Sequence, residues 1–342
     1  MIVKVADFFT FLNRCFSEGV GKFDEIILPV KSSKENNNLH FASIKKGARF
    51  DFETVQLDTY RTIDPVKVLY YLSREKVLPA HYPPKRRLII GVKSCDLRAL
   101  EILDKAMINN EFVDQAYKHW RDNAIIISTD CLSITNTCHC TLTGGKPYSE
   151  SGFDINLSKS FYNYHLTVGS QKGEELVEFM KKSITIEDDK PDILKNVANQ
   201  RQEVIELLNK QNEEYFRSED YSGLINSKLS KWETYSRECV GCGGCTNICP
   251  TCYCLILNDE TKSEQFVKVR SYDSCQLNGY ARVAGGGTPR PKMAERFRNR
   301  YMCKFSYMKS NFNTIGCTGC GRCTDVCPAK IDFRRTVSYL DK

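Results

Sequence analysis

The sequence predicts an α/β N-terminal domain, a parallel sheet with helices, followed by a cysteine-rich C-terminal domain. Three observations carry that prediction. Two uniformly apolar stretches, Leu88–Val92 and Ala124–Ser128, flank a helical stretch at Asp96–Met107, the pattern of parallel strands covered on both faces. One spacing, Cys-x2-Cys-x2-Cys-x3-Cys-Pro, occurs twice, at Cys239–Pro250 and at Cys317–Pro328. Composition also changes sharply at Trp232-Glu233-Thr234-Tyr235, just before the first of these runs. The expected divisions are therefore residues 1–170 for the α/β domain, 171–230 for a helical connector and 231–342 for the cysteine-rich domain.

Along the first domain, Val5–Phe16 has helical apolar spacing and Glu25–Val30 reads as a strand. A helix is expected over Pro65–Glu75, with Asp64 as its N-cap and Pro65 in its first position. Pro79–Pro84 then forms a turn-rich break. Cys95 follows the first buried strand and Cys131 the second, at the strand ends where open α/β sheets collect ligands. Cys138-His139-Cys140 comes shortly after, in a loop rich in Ser, Thr and Asn. A parallel sheet would bring Cys95, Cys131, Cys138 and Cys140 together, and they are read as an iron–sulfur site, with zinc and buried structural thiols as the alternatives. Alternation along an extended Cys-His-Cys points His139 away from both neighbours. In the connector, Glu174–Lys182 and Asp192–Asn209 read as helices with solvated Glu and Lys.

Each cysteine run of the second domain is the bacterial-ferredoxin signature for a cubane iron–sulfur cluster. Three thiolates two residues apart wrap a tight loop around three corners of the cube. Gly241, Gly244, Gly319 and Gly321 let that loop turn closely and aim N–H groups at sulfur. Pro250 and Pro328 turn the outgoing chain away. In two-cluster ferredoxins the fourth cysteine ligates the other cluster. That rule groups Cys239, Cys242 and Cys245 with Cys327, and Cys317, Cys320 and Cys323 with Cys249. Zinc and disulfides are the competing readings. The expected domain is thus ferredoxin-like, a 2×[4Fe–4S] dicluster with a long insertion over 250–316, and the chain would hold three [4Fe–4S] clusters in all.

That insertion carries Cys252, Cys254, Cys275 and Cys303. A pair spaced Cys-x-Cys plus two distant single cysteines is read as thiols packing near the clusters, not as a fourth site. Ala284–Pro289 lacks the Lys-Ser/Thr of a P-loop and the strand-to-helix setting of a Rossmann turn, and reads as a plain loop. Ala294–Arg300 starts a helix with a basic face, either solvated or screening the clusters. Arg322, inside the second loop, is expected to raise the potential of the cluster there.

With 342 residues the chain can build more than one core. Its 17 cysteines, with no apparent leader at Met1-Ile2-Val3-Lys4, point to a reducing cytoplasm and to metal ligation. No apolar stretch approaches the length of a membrane span. The formal charge is +7. An oxidised cubane with four thiolates carries about −2, so three would leave roughly +1, and the basic excess is no sign of nucleic-acid binding. Flavin and nucleotide motifs are not recognised in the chain.

The arrangement resembles the β subunit of cytosolic sulfhydrogenases, the NAD(P)-linked [NiFe] hydrogenases, and the related iron–sulfur component of anaerobic sulfite reductase. The resemblance rests on Gly91–Asp96, Asp130-Cys131 with Cys138-x-Cys140, Gly152-Phe153-Asp154, and Cys249–Cys254. Asp273-Ser274-Cys275, Ala284-Gly285-Gly286, Ala294–Arg298 and Cys317–Pro328 continue it. It implies an electron-relay subunit of a hetero-oligomer, placed between a flavin- and NAD(P)-binding subunit and a catalytic subunit. It further implies a cluster on Cys95, Cys131, Cys138 and Cys140. Members usually carry an aromatic residue where this chain has His139, and commonly lack Cys303, which is read as incidental. The alternative is a small reductase whose N-terminal cluster is itself the catalytic site, although four cysteines would leave iron no open position.

Overall fold

The computed structural model describes all residues except 18–22, 33–37, 46–50, 81, 216–219, 263–264 and 342. The first part runs β1 (Ile2–Lys4), α1 (Val5–Ser17), β2 (Glu25–Lys31), β3 (Leu39–Lys45), β4 (Arg74–Leu78), β5 (Arg87–Val92) and α2 (Ser94–Met107). It continues through α3 (Gln115–Asp122), β6 (Ala124–Thr129), β7 (Ile155–Ser160), β8 (Asn163–Val168), α4 (Gln171–Lys181) and α5 (Pro191–Gln211). Among the described residues, seven strands form one sheet in the order β1-β8-β7-β6-β5-β2-β3. Its centre, β2-β5-β6-β7, is parallel, and its edges are antiparallel. Mixed edges on a parallel centre fit the sequence, because only the central strands are apolar throughout.

Alternate side chains of the central strands serve opposite faces. Ile26, Leu28, Leu88 and Ile90 join a core with Phe8, Phe11 and Leu12 of α1 and with Leu176, Val177 and Met180 of α4. Ile27, Ile89 and Val92 join Leu97, Leu100 and Leu103 of α2 on the other side. At the end of β5 the register slips between Ile90 and Val92. Gly91 takes a φ of +79° there, and a side chain would collide with the ring of Pro29. This glycine bulge turns the chain into α2, whose first turn carries Cys95.

The expected helix over Pro65–Glu75 does not form. The chain makes one 3-10 turn, Val66–Leu69, with Pro65 extended before it, and then enters β4. Asp64 does not cap that turn; it pairs with His40. The Val66 N–H instead donates to Asp96. The competing partner is distant in sequence. β4 pairs antiparallel with β10 (Gln265–Tyr272), which forms a hairpin with β9 (Leu255–Lys262), and the three make a second sheet. Strand pairing with a remote hairpin has overridden local helical spacing.

The helical stretch after residue 170 is solvated on one face only. α5 buries Ile193, Val197, Val204 and Leu208, and Val204 and Leu208 pack against Cys140. The C-terminal part adds α6 (Ser222–Asn226), α7 (Leu229–Ser236), α8 (Gly244–Asn247) and α9 (Met293–Met302). Trp232, at the composition change, is fully buried against Phe297 and Tyr301 of α9. Among the described residues no helix is long and apolar enough to cross a membrane.

The hairpin is locked to the first domain by charge. Arg270 of β10 is 2% exposed and pairs with Glu75 of β4 at 2.5 Å and with Asp114 before α3. Arg270→Ala would strand the buried Glu75 carboxylate. The expected cost is about 3–5 kcal/mol, read as a lower urea midpoint, with early proteolysis in the β9–β10 hairpin.

Candidate metal centres

Three loops bring the N-terminal thiols together. Cys95 lies in the first turn of α2, Cys131 just beyond β6, and Cys138 and Cys140 in the loop that follows. All four line one small cavity of about 30 Å³. Buried Lys93 ties two of these loops, donating to the Leu57 carbonyl at 2.6 Å, the Thr129 hydroxyl at 2.9 Å and the Asp130 carbonyl at 2.9 Å. From α5, Arg201 reaches Asp130 at 2.8 Å. Gln211 and Asn212 donate to the Cys138 carbonyl at 2.9 Å and 3.0 Å. Residues read from the sequence as solvated therefore hold the Cys138 loop in place. Donors to backbone carbonyls leave no residue pattern, so no sequence signal announced them.

Gly319 and Cys320 of the second cysteine run line the same cavity. The contact is intimate, since the His139 N–H donates to the Gly319 carbonyl at 2.8 Å. A side chain at Gly319 would overlap the backbone of His139 and Cys140, and one at Gly321 would overlap Thr137. Both glycines have positive φ, +68° and +73°, so close approach and backbone conformation together require them. The ring of His139 turns toward the C-terminal domain. Its Nε2 lies 3.9 Å from Cys317 Sγ, and the ring stacks on Phe333 at 6.2 Å, as an aromatic side chain would. Burial lowers its pKa to about 4.

The two cysteine runs have matching backbones. Gly241 and Gly243 take φ of +67° and +75°, close to Gly319 and Gly321, so Gly243, not Gly244, occupies the second left-handed position. The N–H groups of Gly241 and Gly319 donate to Cys239 and Cys317. Cys239 lies within electrostatic reach of Cys327, and Cys249 within reach of Cys317, Cys320 and Cys323. Burial pushes the Cys131 thiol up to about 11 and the Cys317 and Cys323 thiols up to about 12. Cys249 behaves oppositely: a hydrogen bond from Cys252 outweighs burial and, with Lys304 and Lys67 nearby, holds it well below the ordinary thiol range.

The basic face expected at Ala294–Arg300 is turned inward at two positions. Arg296 is buried against the carbonyls of Gln276, Arg290 and Pro291, and Arg300 is buried beside Cys245 and Cys323. Lys304 lies beside Cys249 and Cys252, and Lys67 beside the same two cysteines. Among the described residues, Arg300, Lys304 and Lys67 make no ion pair with a carboxylate. Buried cations need anions nearby, and thiolates carrying an anionic iron–sulfur cluster answer that need. All 17 cysteines are free of disulfides. Among the described residues no three Cys, His, Asp or Glu side chains converge on a single-ion position. A zinc site would demand such convergence, with Zn–S bonds of about 2.3 Å. The donor set fits polynuclear clusters.

Arg322 differs from its expected role as a lone positive charge beside a cluster. It is 1% exposed and forks onto Asp96, also 1% exposed, at 3.0 Å and 2.7 Å. Its Nε donates to the carbonyls of Thr62 and Ile63. Burial opposes its charge, and Asp96 with the Cys320 and Cys95 thiols outweighs that, so its pKa is raised. Arg61 adds a second clasp, donating to the Cys320 carbonyl at 2.5 Å and pairing with Asp325.

Comparison with known proteins agrees with this chemistry. The 4Fe-4S dicluster domain family matches residues 238–331. Sulfhydrogenase 2 subunit beta of Pyrococcus furiosus is 31% identical over 320 residues, which covers 88% of this chain and 91% of that protein. F420-dependent formate dehydrogenase subunit beta of Methanocaldococcus jannaschii is 25% identical over 164 residues, 47% of this chain and 34% of that protein. No solved structure matches the chain.

Arg322→Ala leaves Asp96 charged and buried without its partner. The expected loss is about 3–5 kcal/mol, measured by urea denaturation, and adding Asp96→Asn should recover part of it. A wild-type midpoint for Arg322→Ala would contradict the clasp.

Proposed function

The chain belongs to the sulfhydrogenase β-subunit family, and from that premise we propose that it is the electron-transfer subunit of a cytoplasmic multisubunit oxidoreductase. In this reading it relays electrons between a flavin- and NAD(P)-binding subunit and a catalytic subunit of hydrogenase or sulfur/sulfite reductase type. Cys239, Cys242, Cys245 and Cys327 ligate one [4Fe–4S] cluster, and Cys317, Cys320, Cys323 and Cys249 a second. Cys95, Cys131, Cys138 and Cys140 ligate a third. Residues 1–170, 171–230 and 231–342 serve as platform, connector and dicluster domain, the last with an insertion over 250–316 on a ferredoxin-like frame.

The observation that carries the reading is the contact between the N-terminal thiols and the second cysteine loop. Cys320 lines the cavity of Cys95, Cys131, Cys138 and Cys140, and Cys249 reaches from the first run into the second loop. Three thiol sets thus form a continuous series, which is what a relay requires. Iron–sulfur clusters held on those thiols supply reversible one-electron storage. The protein's own part is positional and electrostatic. Gly241 and Gly319 direct N–H groups at sulfur, Arg300 and Lys304 place positive charge beside it, and Arg322 with Arg61 holds the two domains in register. The alternative, catalysis at the N-terminal cluster, is less well supported, because four thiols around one cavity would fill the coordination of every iron.

Iron and acid-labile sulfide per chain on anaerobically purified protein test the reading. The variant Cys138→Ser/Cys140→Ser is expected to carry about four fewer irons than wild type. Equal iron in both would leave the N-terminal thiols structural.

A further inference from the structure

The four cysteines between the two runs, read from the sequence as scattered packing groups, share one place. Cys252, Cys254, Cys275 and Cys303 all line a single cavity of about 310 Å³ beside the dicluster loops. Separate elements deliver them. The β9–β10 hairpin closes with Leu255 opposite Tyr272, and just outside that pair the Asp273 N–H donates to the Cys254 carbonyl at 2.9 Å. The hairpin therefore sets the Cys252-x-Cys254 segment against the Asp273-Ser274-Cys275 loop. Cys303 comes from the opposite wall, at the first position of a π-helical turn, Cys303–Tyr307, that interrupts the helix after α9. Such turns are rare and gather at functional sites. Cys303 is thus not incidental in this chain.

The surroundings are those of a liganded sulfur site. Gln276 Nε2 lies 3.4 Å from Cys275 Sγ, and the Tyr280 hydroxyl 3.9 Å from Cys254 Sγ. Lys304, buried and without a carboxylate partner among the described residues, faces Cys252 and Cys303. Arg300 and Arg290 also line the cavity, against a single carboxylate, Asp273. Positive charge exceeds negative unless the thiols and what they hold are anionic. None of the four is in a disulfide. They do not converge on a single-ion position, a property they share with the thiols of the matched dicluster domain. On the reading of the chain as an iron–sulfur protein, we propose that Cys252, Cys254, Cys275 and Cys303 ligate a fourth iron–sulfur cluster. It adjoins both loops of the dicluster, since Cys275 lies within electrostatic reach of Cys245 and Cys303 within reach of Cys249.

The test is iron, sulfide and zinc content with EPR of the dithionite-reduced full-length chain, for wild type and Cys254→Ser/Cys275→Ser. The proposal expects the variant to hold about four fewer irons and four fewer sulfides per chain, with the signal of one cluster missing and zinc well below one per chain in both. Equal iron in the two proteins overturns it, as does one zinc per chain in wild type that the variant lacks. Either result leaves the iron of the other thiol sets in place, so the relay reading survives separately. If the double variant loses all its iron through misfolding, Cys303→Ala decides. Perturbation of one cluster's EPR signal supports the proposal, and a spectrum identical to wild type overturns it.

Discussion

The pairing of Arg322 with Asp96 is the interaction on which the rest of the structure depends. Asp96 follows Cys95 in the first turn of α2, and Arg322 stands between Cys320 and Cys323. One buried, two-pronged ion pair therefore fixes the N-terminal thiols against the second cysteine loop. A guanidinium fork suits this task because it binds a carboxylate in one orientation. Its spare donor reaches the carbonyls of Thr62 and Ile63, which extends the clasp to the segment leading into β4. That segment then meets the β9–β10 hairpin through Glu75 and Arg270. The two parts of the chain are woven together at several points, and both the relay and the further thiol site lie along the seam.

A second constraint is charge. The seam buries Lys67, Arg300 and Lys304 without carboxylate partners among the described residues, next to crowded cysteines. Neither group would be stable there alone. Thiolates bearing clusters are anionic and the cations neutralise them, so bound metal and folded interior stabilise each other. The sequence charge of +7 reflects this arrangement. Part of the basic excess is internal and belongs to the cofactor sites, not to a surface for nucleic acid.

How much of this was legible in the sequence follows from the range of each signal. Leu88–Val92 and Ala124–Ser128 are continuous apolar runs, and both are central parallel strands. The cysteine runs are legible because their spacing is local, and residues 238–331 match the dicluster family. The segment Pro65–Glu75 reads wrongly as a helix because its strand partner, Gln265–Tyr272, lies far along the chain. β7 and β8 carry too many polar residues to announce themselves. Cys303 joins Cys252, Cys254 and Cys275 only through a hairpin and a π-helical turn, neither of which has a residue signature. Arg322 looks in sequence like a charge directed at sulfur, and only the fold shows that Asp96 claims it.

The central claim is that the N-terminal thiols hold a cluster in direct communication with the one beside Cys317, Cys320 and Cys323. Its most direct test is low-temperature EPR of the fully reduced chain, compared with a Cys95→Ser/Cys131→Ser variant. Adjacent paramagnetic clusters broaden and split each other's signals. The account predicts such interaction features in wild type and a simpler spectrum in the variant. Superimposable spectra from the two proteins would contradict it.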